Sequence, residues 1–297
     1  MERKPYGPFP YTPISQRPKL TWPSGACVAL WVIVNIEVFP LDYGMPGDQN
    51  ERPDPNARNP DVRQWARRDY GNRVGVWRIM DVLSKHRVRG TVALNSNVCD
   101  LHPQIIEAAT KLGWELMGHC QNNSQRLTEV APERERQVIH DTLARIQQAA
   151  GKKPVGWLGA GLQETWDTLD YLAEEDCLYV ADWGLNDEQP YLMNINGKRL
   201  VALPYSWEIN DSPAFANQKY TPGEFEQMIR RQFDVLYREG KDSGRVMAIA
   251  LHPYLIGVPH RISALDFALD YICQHEGVWK ATGEEIVRYY LDSCETF

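Results

Sequence analysis

The sequence has no run of about 18 or more apolar residues, the length a membrane-spanning helix requires, so a bilayer is not an expected partner. It has no block of basic residues either. The 32 Lys and Arg are outnumbered by 39 Asp and Glu, a formal net charge of -7, which argues against nucleic acid and anionic membrane surfaces. Cysteine is sparse: Cys27, Cys99, Cys120, Cys177, Cys273 and Cys294 stand far apart, in none of the paired spacings of zinc or redox motifs, a usage that suits a reducing compartment. The first eight residues, Met1 to Pro8, lack the apolar core of a secretory leader, and the expected location is the cytoplasm. There is no Gly-x-Gly-x-x-Gly and no phosphate-loop lysine; Gly159 and Gly161 alone do not make a nucleotide site. A Gly-x-Ser-x-Gly elbow is missing as well, which disfavours serine nucleophile chemistry.

What is present is one pattern repeated. Short apolar runs hand over to polar or ionisable residues: Val28 to Val34 into Asn35 and Glu37, Trp114 to Gly118 into His119, Leu178 to Ala181 into Asp182, Leu200 to Leu203 into Tyr205 and Glu208, and Val246 to Leu251 into His252. Between these strands lie helical stretches of ten or more residues, among them 74–86, 103–112, 132–150, 222–239 and 262–276. The alternation predicts an α/β fold with a parallel sheet, a distorted (β/α) barrel of about seven strands whose strand ends converge on one mouth. At 297 residues this fits a single domain, 24–297, preceded by a proline- and aromatic-rich arm, 1–23. The arm either packs on the body or clasps a second subunit, and a homo-oligomer is expected. A polar, glycine- and proline-containing insertion, 39–68, reads as a lid-like loop.

The strand-end residues define the candidate site. Glu37 is the first choice as a base, although it could equally pair with an arginine such as Arg78. His119 and His252 are candidates for polarising a carbonyl or protonating a leaving group, against a structural role for each. Asn35, Gln121, Asn122, Asn123, Asp182, Trp183 and Glu208 are candidates for substrate binding; Gln121, Asn122 and Asn123 could equally close a loop. Trp157 and Trp207 could stack on a flat ring, with core packing the plainer reading for Trp157. Cys120, beside His119, has no charged partner to make it a thiolate.

The Asn35-Ile36-Glu37 strand end, the Gly118-His119 turn, Gly156-Trp157, and the tract from Leu251 to Arg261 together resemble the polysaccharide deacetylase superfamily, closest to its metal-independent, allantoinase-like branch. The resemblance runs from about Trp22 to Trp279 and includes Gly75-Val76-Trp77-Arg78-Ile79. It implies a NodB-like barrel, a site at the strand C-termini, and hydrolysis of a carbon–nitrogen bond other than a peptide bond. Metal-dependent members carry an Asp-Asp pair and a His-Ser/Thr-x-x-His run; here Asn35 and Glu37 stand in the first motif, and Asn123 in place of the second histidine. The Arg-x-Pro-aromatic motif is missing, and Gly161 lies near the place where the allantoinase-like branch carries arginine.

Three functions follow as expectations. The first is metal-independent hydrolysis of a small cyclic or linear amide, ureide or imide, without a cofactor. The second is a zinc-dependent N-deacetylase of an amino sugar, with Glu37, His119 and Asn123 as ligands; an amide oxygen is a poor substitute for imidazole on zinc. The third is a silent ligand-binding barrel.

Overall fold

The computed structural model describes residues 6–43, 45 and 60–294. Its centre is β1 (Val28–Ile36), nine consecutive buried residues rich in β-branched side chains, the composition of a strand covered on both faces. Alternation splits this strand cleanly. Val28, Leu30, Val32, Val34 and Ile36 face an outer layer of helices, while Ala29, Trp31 and Ile33 face the barrel interior. The same inward parity carries on past the apolar run to Asn35 and Glu37.

The remaining strands are β2 (Thr91–Leu94), β3 (Glu115–Gly118), β4 (Gly156–Trp157), β5 (Tyr179–Val180), β6 (Tyr191–Ile195), β7 (Lys198–Ala202), β8 (Arg245–Leu251) and β9 (Val278–Lys280). They form one sheet in the order β6-β7-β5-β4-β3-β2-β1-β8, with β9 paired to the first half of β1. Neighbours are parallel except in the β6–β7 hairpin. Seven strands therefore follow one another in parallel, as expected; the antiparallel β6 and the short β9 are additions. Loop backbone closes the seam between β7 and β8: Val246 N–H donates to Glu188 O at 2.8 Å and Ala250 N–H to Ile209 O at 2.9 Å.

The helices are α1 (Val62–Tyr70), α2 (Val76–Lys85), α3 (Val98–Leu101), α4 (Pro103–Lys111), α5 (Pro132–Ala150), α6 (Thr168–Glu174), α7 (Pro222–Gly240), α8 (Ile262–Cys273) and α9 (Gly283–Cys294). Helix α1 corrects the reading of 39–68 as one loop. Asp61 caps it by accepting from Gln64 N–H at 3.1 Å, so residues 62–68 are helical; residues 44 and 46–59 of the insertion lie outside the described residues. A wide turn, Gly71–Gly75, joins α1 to α2. A Cβ on Gly75 would stand 2.0 Å from Pro253 O, so glycine is what lets this segment press against the turn that follows β8.

The barrel floor is polar but satisfied. The buried Glu115 carboxyl accepts from Thr91 Oγ1 (2.9 Å), Tyr179 OH (2.8 Å) and Glu284 N–H (3.0 Å), and Thr91 Oγ1 accepts in turn from Trp31 Nε1 (2.8 Å). The arm packs on its own body: Arg17 forms a two-pronged pair with Asp187 (2.6 and 2.8 Å) and Phe9 stacks on Tyr191 at 4.4 Å.

Candidate active site

Parity places the chemistry. In β1, β3 and β8 the inward positions continue from Ile33 to Asn35 and Glu37, from Met117 to His119, and from Ala250 to His252. All four polar side chains are buried and line one recess of about 30 Å³, together with Tyr205 and Trp207. Glu37 Oε1 lies 3.4 Å from His119 Nε2 and 3.8 Å from His252 Nε2, so one carboxylate oxygen faces two imidazoles.

The other nitrogen of each ring is fixed. His119 Nδ1 is 2.7 Å from Leu158 O, and since a carbonyl only accepts, Nδ1 carries the proton. His119 Nε2 is buried, faces the recess, and makes no aligned hydrogen bond among the described residues. His252 Nδ1 donates to Asp211 Oδ1 at 2.7 Å, and the same carboxylate accepts from the His252 N–H (2.9 and 2.8 Å) and the Ile256 N–H (3.1 Å). Burial pushes the Asp211 carboxyl up, and His252 pulls it back down. Asn95 sets the backbone of two strand ends at once: its Oδ1 accepts from Val38 N–H at 3.0 Å and its Nδ2 donates to His119 O. Asn72 Nδ2 holds Glu37 O at 2.8 Å.

The pairing of Glu37 with Arg78 does not occur; Arg78 donates to Tyr70 OH (2.6 Å) and Gly257 O (2.9 Å). Asn35 belongs to the recess, donating to Tyr205 OH and Leu251 O, both at 3.2 Å. The other polar candidates lie off it. Asn122 closes a turn by accepting from Ser124 and Gln125 N–H (3.0 and 3.1 Å), Asn123 ties its backbone to Val38 O (3.0 Å), and Gln121 O accepts from Asn97 N–H (3.1 Å). Asp182 sits behind Gly159, accepting its N–H at 3.1 and 2.8 Å, and Trp183 Nε1 donates to Glu164 at 2.5 Å. Glu208 lines a separate recess. Trp157 is core, and burial pushes the Cys120 thiol up to about 12, unsuited to a nucleophile. The backbone turn after β3 lies at Cys120, with φ 57°, rather than at Gly118, whose missing Cβ admits the Trp157 ring. Glu37 also lines a larger recess of about 450 Å³, with Trp65, Arg68, Asn72 and His102.

Known proteins share this arrangement of elements. A family model described as polysaccharide deacetylase matches residues 68–179. A Schizosaccharomyces pombe protein named "Putative polysaccharide deacetylase" is 30% identical over 246 residues, covering 74% of this chain and 73% of that one. The chain belongs to the polysaccharide deacetylase family. A Helicobacter pylori relative, "Peptidoglycan deacetylase", is 21% identical over 253 residues, 75% of this chain and 85% of that one. The crystal structure of Puue allantoinase superposes with a TM-score of 0.84 at 26% identity, covering 93% of this chain and 94% of that one. Family membership makes this polysaccharide deacetylase relative a hydrolase of carbon–nitrogen bonds other than peptide bonds, on the NodB-like barrel.

Many deacetylases of this family use a metal, and the residues here do not match that donor set. Asn123, in place of the second histidine, does not line the recess. Among the described residues no group of three or more His, Cys, Asp or Glu is placed to hold an ion.

Proposed function

We propose that the protein hydrolyses a small cyclic or linear amide, ureide or imide without a metal. The observation that carries this reading is the convergence of two Nδ1-anchored imidazoles on Glu37 Oε1. Amide hydrolysis needs an activated water and a proton for the leaving nitrogen. A water in the recess, hydrogen-bonded to Glu37 Oε1 beside His119 Nε2, gives its proton to Glu37 as it attacks the carbonyl carbon. The His252 imidazolium, stabilised by Asp211, gives its Nε2 proton to the departing nitrogen. At about 30 Å³ the recess takes a water or one functional group, and Trp207, 40% exposed at its mouth, offers a face for a flat substrate. The larger recess beyond Glu37 has the volume of a small-molecule site.

A second reading, a zinc-dependent N-deacetylase, draws support from the buried His119 Nε2, which makes no hydrogen bond among the described residues and which a cation would satisfy. A screen of cyclic imides, ureides, linear amides and N-acetyl sugars, each with and without chelator, separates the two. Turnover of a cyclic or linear amide that survives chelation is expected. Turnover confined to N-acetyl sugars, lost on chelation and restored by stoichiometric zinc, would overturn the first reading.

A further inference from the structure

We propose that Asp182 is a positioning residue for His119, acting through the peptide group that joins Leu158 to Gly159. That single peptide unit is hydrogen-bonded at both ends. Its carbonyl accepts the His119 Nδ1 proton at 2.7 Å, and its N–H donates to both Asp182 oxygens at 3.1 and 2.8 Å. A negative charge on the N–H side draws the amide dipole toward the carbonyl and makes that oxygen a stronger acceptor, because hydrogen bonds in series polarise one another. The Nδ1 proton of His119 is thereby held on its carbonyl, and the ring stays turned so that Nε2 faces Glu37. Asp211 does the same for His252 by direct contact, so each imidazole has a carboxylate behind it, one adjacent and one a peptide removed.

The surroundings are built for this contact. A Cβ on Gly159 would stand 2.6 Å from Gln163 O and 3.2 Å from Asp182 Oδ1, so only glycine allows the two-pronged approach. Asp182 itself is kept in place by the Glu164 carboxyl, which Trp183 Nε1 anchors at 2.5 Å. Burial raises Asp182, and the Gly159 N–H and the Glu164 carboxyl pull it back, so the contact with this peptide is the largest influence that favours its charged form.

The inference rests on the reading in which His119 Nε2 serves hydrolysis, yet its test does not need turnover. In protein labelled with ¹⁵N-histidine, the ring signals of the seven histidines are recorded at one pH, with His119→Gln and His252→Gln used for assignment. Asp182→Asn keeps an oxygen for the Gly159 N–H and removes the charge. It is expected to move the His119 Nδ1 proton upfield and leave His252 in place, while Asp211→Asn does the reverse. A His119 signal identical in wild type and in folded Asp182→Asn overturns the proposal. Asp182→Ser, which also retains an oxygen, makes the same comparison if the asparagine variant does not fold. Should the substrate screen find no amide hydrolysis, the ring shifts still decide the matter of Asp182. Where a substrate is found, kcat falls in Asp182→Asn with KM unchanged, whereas a general loosening of the fold would move both.

Discussion

Asp182 also makes a quantitative prediction about stability. Desolvation by burial pushes its carboxyl from 3.8 to about 6, opposed chiefly by the Gly159 N–H. A carboxyl with a raised folded-state value binds its proton more tightly in the native protein than in the unfolded chain. Its stabilising contribution is therefore complete below the unfolded value and disappears as the pH rises through about 6. At about 1.4 kcal/mol per pH unit, the wild type should lose roughly 2–3 kcal/mol relative to Asp182→Asn between pH 4 and pH 7. The asparagine accepts the same N–H and carries no charge, so titrating groups away from Asp182 and its neighbour Glu164 cancel in the comparison. Urea unfolding at half-unit pH steps measures it. With an m-value of about 2–3 kcal/mol per molar, the gap between the two midpoints should change by about 1 M across that range. Parallel midpoint curves would show that Asp182 is not titrating in a buried setting, and the reasoning would fail.

Three further outcomes are expected. Glu37→Gln should lower turnover roughly 10²–10⁴-fold with KM little changed, the loss typical of a general base, as steady-state kinetics on a substrate from the screen will show. Asp211→Asn removes the charge that fixes the His252 tautomer and should cost about 10³–10⁴-fold in kcat; activity near wild type would remove His252 from the acid role. Gly75→Ala places a methyl group 2.0 Å from Pro253 O, and the overpacking should cost about 1–3 kcal/mol or more in thermal unfolding and reduce turnover, since Pro253 adjoins His252.

The site was legible where strands carried it. Asn35, His119 and His252 each lie at an inward position one pleat beyond the last apolar inward residue, and Glu37 two pleats beyond, so alternation alone aims them at the mouth. Asn95 ends β2 by the same rule and could have been found the same way. Asp182 misled because its position is the outward one: Ala181 faces the interior, and Asp182 shares its side of the strand with Val180. Asp211 gave no signal, because it stands between the isolated Asn210 bridge to Ala250 and a short helical turn, Pro213–Asn217, elements between β7 and α7 too brief to show a periodicity. Helix α1 was hidden by its composition, largely polar with three arginines. The β6–β7 hairpin did leave a trace, since its turn is Asn196-Gly197, both residues at positive φ (52° and 82°), the pair that two-residue hairpin loops favour.

The hydrogen-bonded plug formed by Glu115, Thr91, Tyr179 and Trp31 closes the barrel interior at the end away from Glu37, His119 and His252. On the proposed reading, water, substrate and product all come and go at the strand-end side, where the small recess beside Trp207 and the larger one both reach Glu37. Traffic through such a blind pocket is sequential, so an amine or acid slow to depart would delay the next arrival, and the residues at the rim would then govern pace as much as those at the bottom govern bond breaking.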